Sequence, residues 1–138
     1  MEIPELENFS ELEKFLQESE LTYPQALLEY YQDLGQQMGF TCRENFSVIK
    51  YALNLGKLGL LWVEPKVTFT FEFSSLENLF KELVKISEFS PDLAVLVLSS
   101  KSTHCKLKDV KKFIEESTLF SQQKFCLLDL AEKEVIKL

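Results

Sequence analysis

Apolar residues recur at helical spacing from the start of the chain. Between Pro4 and Glu20, Leu6, Phe9, Leu12 and Leu16 fall every three or four positions, and Ser10 with Glu13 has capping-box spacing. A second helix is expected to begin at Pro24, whose absent N–H is harmless in a first turn, and to stop at Gly39. Its inward stripe reads Leu27, Tyr31, Leu34, Met38.

From Phe40 the period shortens to two. Ser47 to Leu53 reads as a strand, Asn54-Leu55-Gly56-Lys57 as a turn, and Leu58 to Val63 as a second strand. After Glu64-Pro65-Lys66, a third strand alternates cleanly, with Val67, Phe69, Phe71 and Phe73 on one face and Thr68, Thr70, Glu72 and Ser74 on the other. Ser74 with Glu77 then caps a helix whose stripe is Leu76, Leu79, Phe80, Leu83 and Ile86. The run from Leu93 to Leu98 suits a strand buried on both faces. A helix over about Leu107–Ser117 follows, with Leu107, Val110, Phe113 and Ile114 inward, then a last strand from Phe125 to Leu130 and a short charged tail.

The order is α-α-β-β-β-α-β-α-β. It predicts an α/β fold: one mixed sheet that starts as an antiparallel meander, continues through two crossovers into parallel strands, and carries helices on both faces.

With 138 residues the chain suits a single domain, divided into an acidic N-terminal helix (1–22) and a core (23–138). Its 15 Lys+Arg and 22 Asp+Glu give a net charge of −7. Residues 1–33 hold nine acids and one lysine, so the remaining 105 residues carry +1. The acidity therefore belongs to the first two helices and suits a basic protein surface, whereas a binder of bare nucleic acid is more often basic. Lys101, Lys106, Lys108, Lys111 and Lys112 form one short basic run that could touch a phosphate backbone weakly; a solvated helix face explains it more simply.

No apolar run is long enough for a membrane helix, and no leader precedes the first acids, so a cytoplasmic protein is expected. Cys42, Cys105 and Cys126 are widely spaced, and even with His104 they lack metal-ligand spacing. An odd count of thiols fits a reducing compartment. One histidine, no nucleophile-elbow glycines and no phosphate-cradling glycine motif leave Ser-His-Asp or Cys-His hydrolase, P-loop and Rossmann chemistry without residues to perform it.

One constellation does carry chemistry. Glu29 stands ten residues before Gly39-Phe40, Leu58-Gly59-Leu60-Leu61-Trp62 forms a strand, and Glu72-Phe73-Ser74 ends the next. In this order the chain resembles the PD-(D/E)XK nuclease superfamily, with its restriction-endonuclease-like core, and most of all small archaeal members such as Holliday-junction resolvases. The resemblance covers about residues 24–130 and rests on architecture more than on catalytic letters. It implies a glutamate at Glu29, an aspartate where Gly59 stands, and a Glu-x-Lys where Glu72 is followed by Ser74. In an active member the paired carboxylates hold Mg²⁺ or Mn²⁺, which lowers the pKa of a bound water, and the lysine positions that water.

An even-length turn at Glu64–Val67 would set 59 opposite 72 and 57 opposite 74. Lys57 is then the one lysine able to replace the motif's own. The expectation is a degenerate, non-catalytic member acting as an interaction or structural module, without cofactor. It would self-associate as active relatives commonly do, or pair with a protein partner. Two alternatives stand beside it: a Mg²⁺- or Mn²⁺-dependent nuclease using Glu72, Glu29 and Lys57, and a protein that binds nucleic acid through Lys106, Lys108, Lys111 and Lys112 without cutting it.

Overall fold

The computed structural model describes residues 2–72, 75–99 and 106–138, so Ser74, Lys101, His104 and Cys105 lie outside the described residues. A short 3-10 turn, Pro4–Glu7, leads into helix α1, Phe9–Glu18. Its cap is Asn8 rather than Ser10: Asn8 Oδ1 accepts the Glu11 N–H at 3.2 Å, and the Ser10 hydroxyl donates to the same oxygen at 3.1 Å. Helix α2, Tyr23–Gln37, buries Ala26, Leu27, Tyr31 and Gly35, leaving Leu34 half-buried and Met38 exposed. The inner face is rotated from the expected stripe because Gly35 gives its place to the Trp62 ring. A Cβ at Gly35 would meet Trp62 Nε1 and lie 2.6 Å from Cε2.

Six strands form one mixed sheet in sequence order: β1 Thr41–Lys50, β2 Leu53–Val63, β3 Val67–Phe71, β4 Leu93–Leu98, β5 Phe125–Asp129 and β6 Glu134–Lys137. β1–β2–β3 is antiparallel, β3–β4 and β4–β5 are parallel, and β6 turns back antiparallel on β5. The expected meander and parallel strands are present, and the charged tail supplies a sixth strand. Asp129 makes that last turn: buried, it accepts the Ala131 and Glu132 N–H groups at 3.0 and 3.3 Å.

The first hairpin differs from its sequence reading. Its turn is Tyr51-Ala52, with both residues at positive φ, and Asn54–Lys57 lies within β2. Neither Tyr nor Ala favours that conformation, so local composition pointed to the Gly56 segment instead.

Alternation along β4 and β5 divides the interior into two cores. Val95, Val97, Cys126 and Leu128 pack with Leu6, Phe9, Leu12, Leu27 and Tyr31 on the α1/α2 face. Leu96, Leu98, Phe125 and Leu127 pack with helices α3 (Leu76–Phe89) and α4 (Leu107–Glu116) on the other. The hairpin crosses between these faces. Phe40, Cys42, Leu60 and Trp62 belong to the first core, whereas Phe46, Val48 and Leu58 belong to the second, although all are even-numbered. The crossover falls at Asn45, which has φ 46°, and at Gly59. α3 buries Leu79, Leu83 and Ile86, and α4 buries Leu107, Val110 and Ile114. Leu76, Phe80 and Phe113, expected inside, are partly exposed, and the two phenyl rings meet edge-on at 5.7 Å.

Candidate functional site

The positions that resemble a nuclease motif lie where β2 and β3 part. Pairing between these strands runs Trp62↔Val67, Leu61↔Thr68 and Leu60↔Phe69, which makes the connection two residues longer than expected. Gly59 therefore does not face Glu72. Among the described residues it is in neither ladder: pairing to β3 ends at Leu60, and pairing to β1 skips from Leu60 to Leu58. A Cβ there would lie 3.3 Å from the Phe69 carbonyl oxygen and 3.3 Å from Phe71 Cδ2. The space an aspartate would need is already narrowed by β3, so the glycine fits the local packing as well as the strand crossover.

Glu72 follows β3 and points, by alternation from Thr68 and Thr70, toward α3. It lines an open cleft of about 450 Å³ with Leu55, Asn78, Phe80, Lys81, Glu82 and Lys85 among its other walls. Lys85 Nζ donates to Glu82 Oε1 at 2.9 Å and to the Lys57 carbonyl at 3.1 Å. Two lysines and two glutamates thus line one open cleft, with Lys85 paired to Glu82.

The other expected participants lie elsewhere. Glu29 is exposed on α2, which packs on the opposite face of the sheet from α3. Lys57 is exposed, does not line the Glu72 cleft, and contributes its carbonyl oxygen. The structure therefore does not bring Glu29, Lys57 and Glu72 together in one pocket. Ser74 lies outside the described residues, and α3 is capped by Ser75, whose Oγ accepts the Asn78 N–H at 3.1 Å. Among the described residues, no group of three or more His, Cys, Asp or Glu side chains is placed to hold a metal ion.

Lys106, Lys108 and Lys112 are exposed at or on α4, and Lys111 pairs with Glu115 at 3.7 Å along that helix. Among the described residues the run lies along α4, with Lys111 paired to Glu115 within that helix.

Sequence reading missed Lys81 and Lys85. Their signal was present: lysines four apart on the helix that directly follows Glu72 share one face. Thr68 and Thr70, expected with Glu72 on the face a helix covers, are buried, and among the described residues their hydroxyls find no hydrogen-bond partner. Burial in the first core pushes the Cys126 thiol up to about 11, and burial likewise raises Cys42, whose thiol donates to the Gln32 carbonyl at 3.5 Å. Both thiols are free and held in their unreactive form. No described helix is long and apolar enough to cross a membrane.

No protein-family model matches the sequence, and no curated protein matches it. Among solved structures, a chain of the CdiA-CT/CdiI toxin and immunity complex from Burkholderia pseudomallei is similar, with a TM-score of 0.48 at 11% identity. The likeness covers 87% of this chain and 88% of that one.

Proposed function

We propose that the chain is a non-catalytic relative of the PD-(D/E)XK nucleases that works as an interaction module, engaging a protein and leaving nucleic acid uncut. The observation that carries this reading is the pocket around Glu72. The strand position that would supply a second carboxylate is Gly59, hemmed by Phe69 and Phe71, and Lys81 and Lys85 line the cleft beside the remaining one. A Mg²⁺ or Mn²⁺ ion needs several oxygen ligands, and here Lys85 already occupies Glu82 while Lys81 lines the same cleft as Glu72. Free thiols at Cys42 and Cys126 suit a reducing, cytoplasmic setting.

Calorimetric titration with Mn²⁺, on the wild type and on Glu72→Ala, tests the reading. The expected result is no Glu72-dependent heat up to about millimolar metal, a free energy of only ~4 kcal/mol. Binding lost in Glu72→Ala, accompanied by metal-dependent cleavage of branched or single-stranded DNA, would overturn it.

A further inference from the structure

Six of the nine acids in residues 1–33 fall into two sets. Glu7 and Glu13 are paired within the chain, to Lys137 at 3.5 Å and Lys133 at 3.0 Å, and these contacts tie the N-terminal segment to the residues around β6. Glu5, Glu11, Glu18 and Asp33 line a cleft between α1 and α2, and among the described residues none of them is in an ion pair. Lys14 also lines the cleft, leaving an excess of three negative charges there.

The cleft has a volume of about 460 Å³, and its apolar lining includes Phe15 and Tyr30, whose ring centroids are 5.6 Å apart. Tyr30 packs edge-on against the buried Tyr31 at 5.1 Å, so its ring is anchored from behind. Burial and the nearby Glu11 carboxylate both hold its hydroxyl in the protonated form.

We infer that this cleft docks a basic segment of a partner protein, seating an arginine side chain against Tyr30 between Glu11 and Asp33. The inference rests on the reading of the chain as an interaction module and names the surface it uses. Charge complementarity selects the class of partner: four carboxylates against one lysine leave net negative charge beside an aromatic wall. A guanidinium suits the site better than an ammonium, because it is planar and weakly hydrated, stacks on a tyrosine face, and presents a fork of donors to flanking carboxylates. Two other exposed features among the described residues lack this combination. The exposed Phe80–Phe113 pair borders the Glu72 cleft, whose two carboxylates and two lysines balance and so select no partner by charge. The outer strand β1 is guarded by Arg43, Glu44, Lys50 and the left-handed Asn45, features that discourage strand addition.

The test is calorimetry on the full chain at low salt with an arginine–serine repeat peptide and its lysine counterpart. The arginine peptide is expected to bind more tightly. Glu11→Gln and Asp33→Asn should each weaken it by about threefold to tenfold, the range of exposed to partly desolvated charge contacts. Tyr30→Leu, which keeps an apolar side chain against Tyr31, should abolish the preference for arginine. Glu116→Gln on α4 removes the same charge elsewhere and should change nothing. Absence of binding to the arginine peptide overturns the inference, and so does equal weakening by Glu116→Gln, which would mean diffuse acidity. A wild-type dimer in sedimentation that Glu11→Gln dissociates would give the cleft to a second copy and also overturn it. Mn²⁺ titration of the same preparation separates the two failures: without peptide binding and without metal binding, only the docking surface is lost.

Discussion

The β1–β2 hairpin has a root and a tip built from the same two strands and held by different means. At the root, Trp62 is fully buried, donates its indole N–H to the Tyr31 carbonyl at 3.0 Å, lies against Gly35, and packs on Phe40 and Phe69 with centroid distances of 5.0 and 4.5 Å. At the tip, Ile49, Tyr51 and Leu53 are 66%, 88% and 64% exposed, and the chain reverses through Tyr51 and Ala52 at φ 52° and 63°. Two lysine contacts brace that arm to α3: Lys50 to Glu88 at 2.9 Å, and Lys85 to the Lys57 carbonyl. Neighbours distant in sequence hold the root in place, whereas backbone preference and a few polar contacts hold the tip. Changes at the root should therefore propagate into the first core, and changes at the tip should stay local.

Gly35→Ala is the sharpest way to break this contrast. The added methyl has no room beside the indole, and overpacking of this kind typically costs about 1–3 kcal/mol. Urea denaturation should show that loss, and emission from the single tryptophan should shift as its ring moves. Unchanged stability and emission would mean that the ring does not rest on α2.

At the tip the sign reverses. Left-handed backbone costs an L-residue about 1–2 kcal/mol, so Tyr51→Asn with Ala52→Gly should raise stability by about 1 kcal/mol after glycine's extra chain entropy. Tryptophan emission should stay constant in that variant. A loss of stability would show that the exposed Tyr51 ring does more for the fold than its turn geometry suggests.

The gentlest probe is pH. Burial raises Tyr31, with further upward pressure from Tyr30, and raises Cys126 to about 11. The native chain then keeps protons that the unfolded chain releases as pH climbs through the ordinary thiol and phenol ranges. Stability should be fully present below about pH 9 and decline above it. Tyr31→Phe should flatten that alkaline slope, while the tip variant should leave it unchanged. An equal slope in Tyr31→Phe would move the effect away from the root.

The candidate site was only partly legible. Gly59 and Glu72 stand out through the resemblance to the nuclease motif, and alternation along the third strand puts Glu72 on the face shared with Thr68 and Thr70. Their mutual placement was not legible, since the connection after Trp62 takes Val63, Glu64, Pro65 and Lys66 out of the ladder and slides the register by two. Glu29 reads as a site residue along the chain but sits on the opposite face of the sheet from α3. Lys81 and Lys85 became relevant only once α3 lay alongside Leu55 and Glu72. The paired and unpaired acids of the first helices look alike as letters; Lys133 and Lys137 separate them by folding back beside α1.

Local pattern alone determined the helices, the buried strands at Leu93–Leu98 and Phe125–Asp129, the α/β class and the concentration of acid in the first two helices. Those features depend on periodicity and composition within a few turns of chain. The tertiary structure alone decided the place of the first turn, the crossing of the hairpin between two cores, the seat of Trp62 on Gly35, and which carboxylates find partners. Each of these is a contact between residues far apart in sequence, where packing and charge pairing outweigh the weaker preferences of single residues.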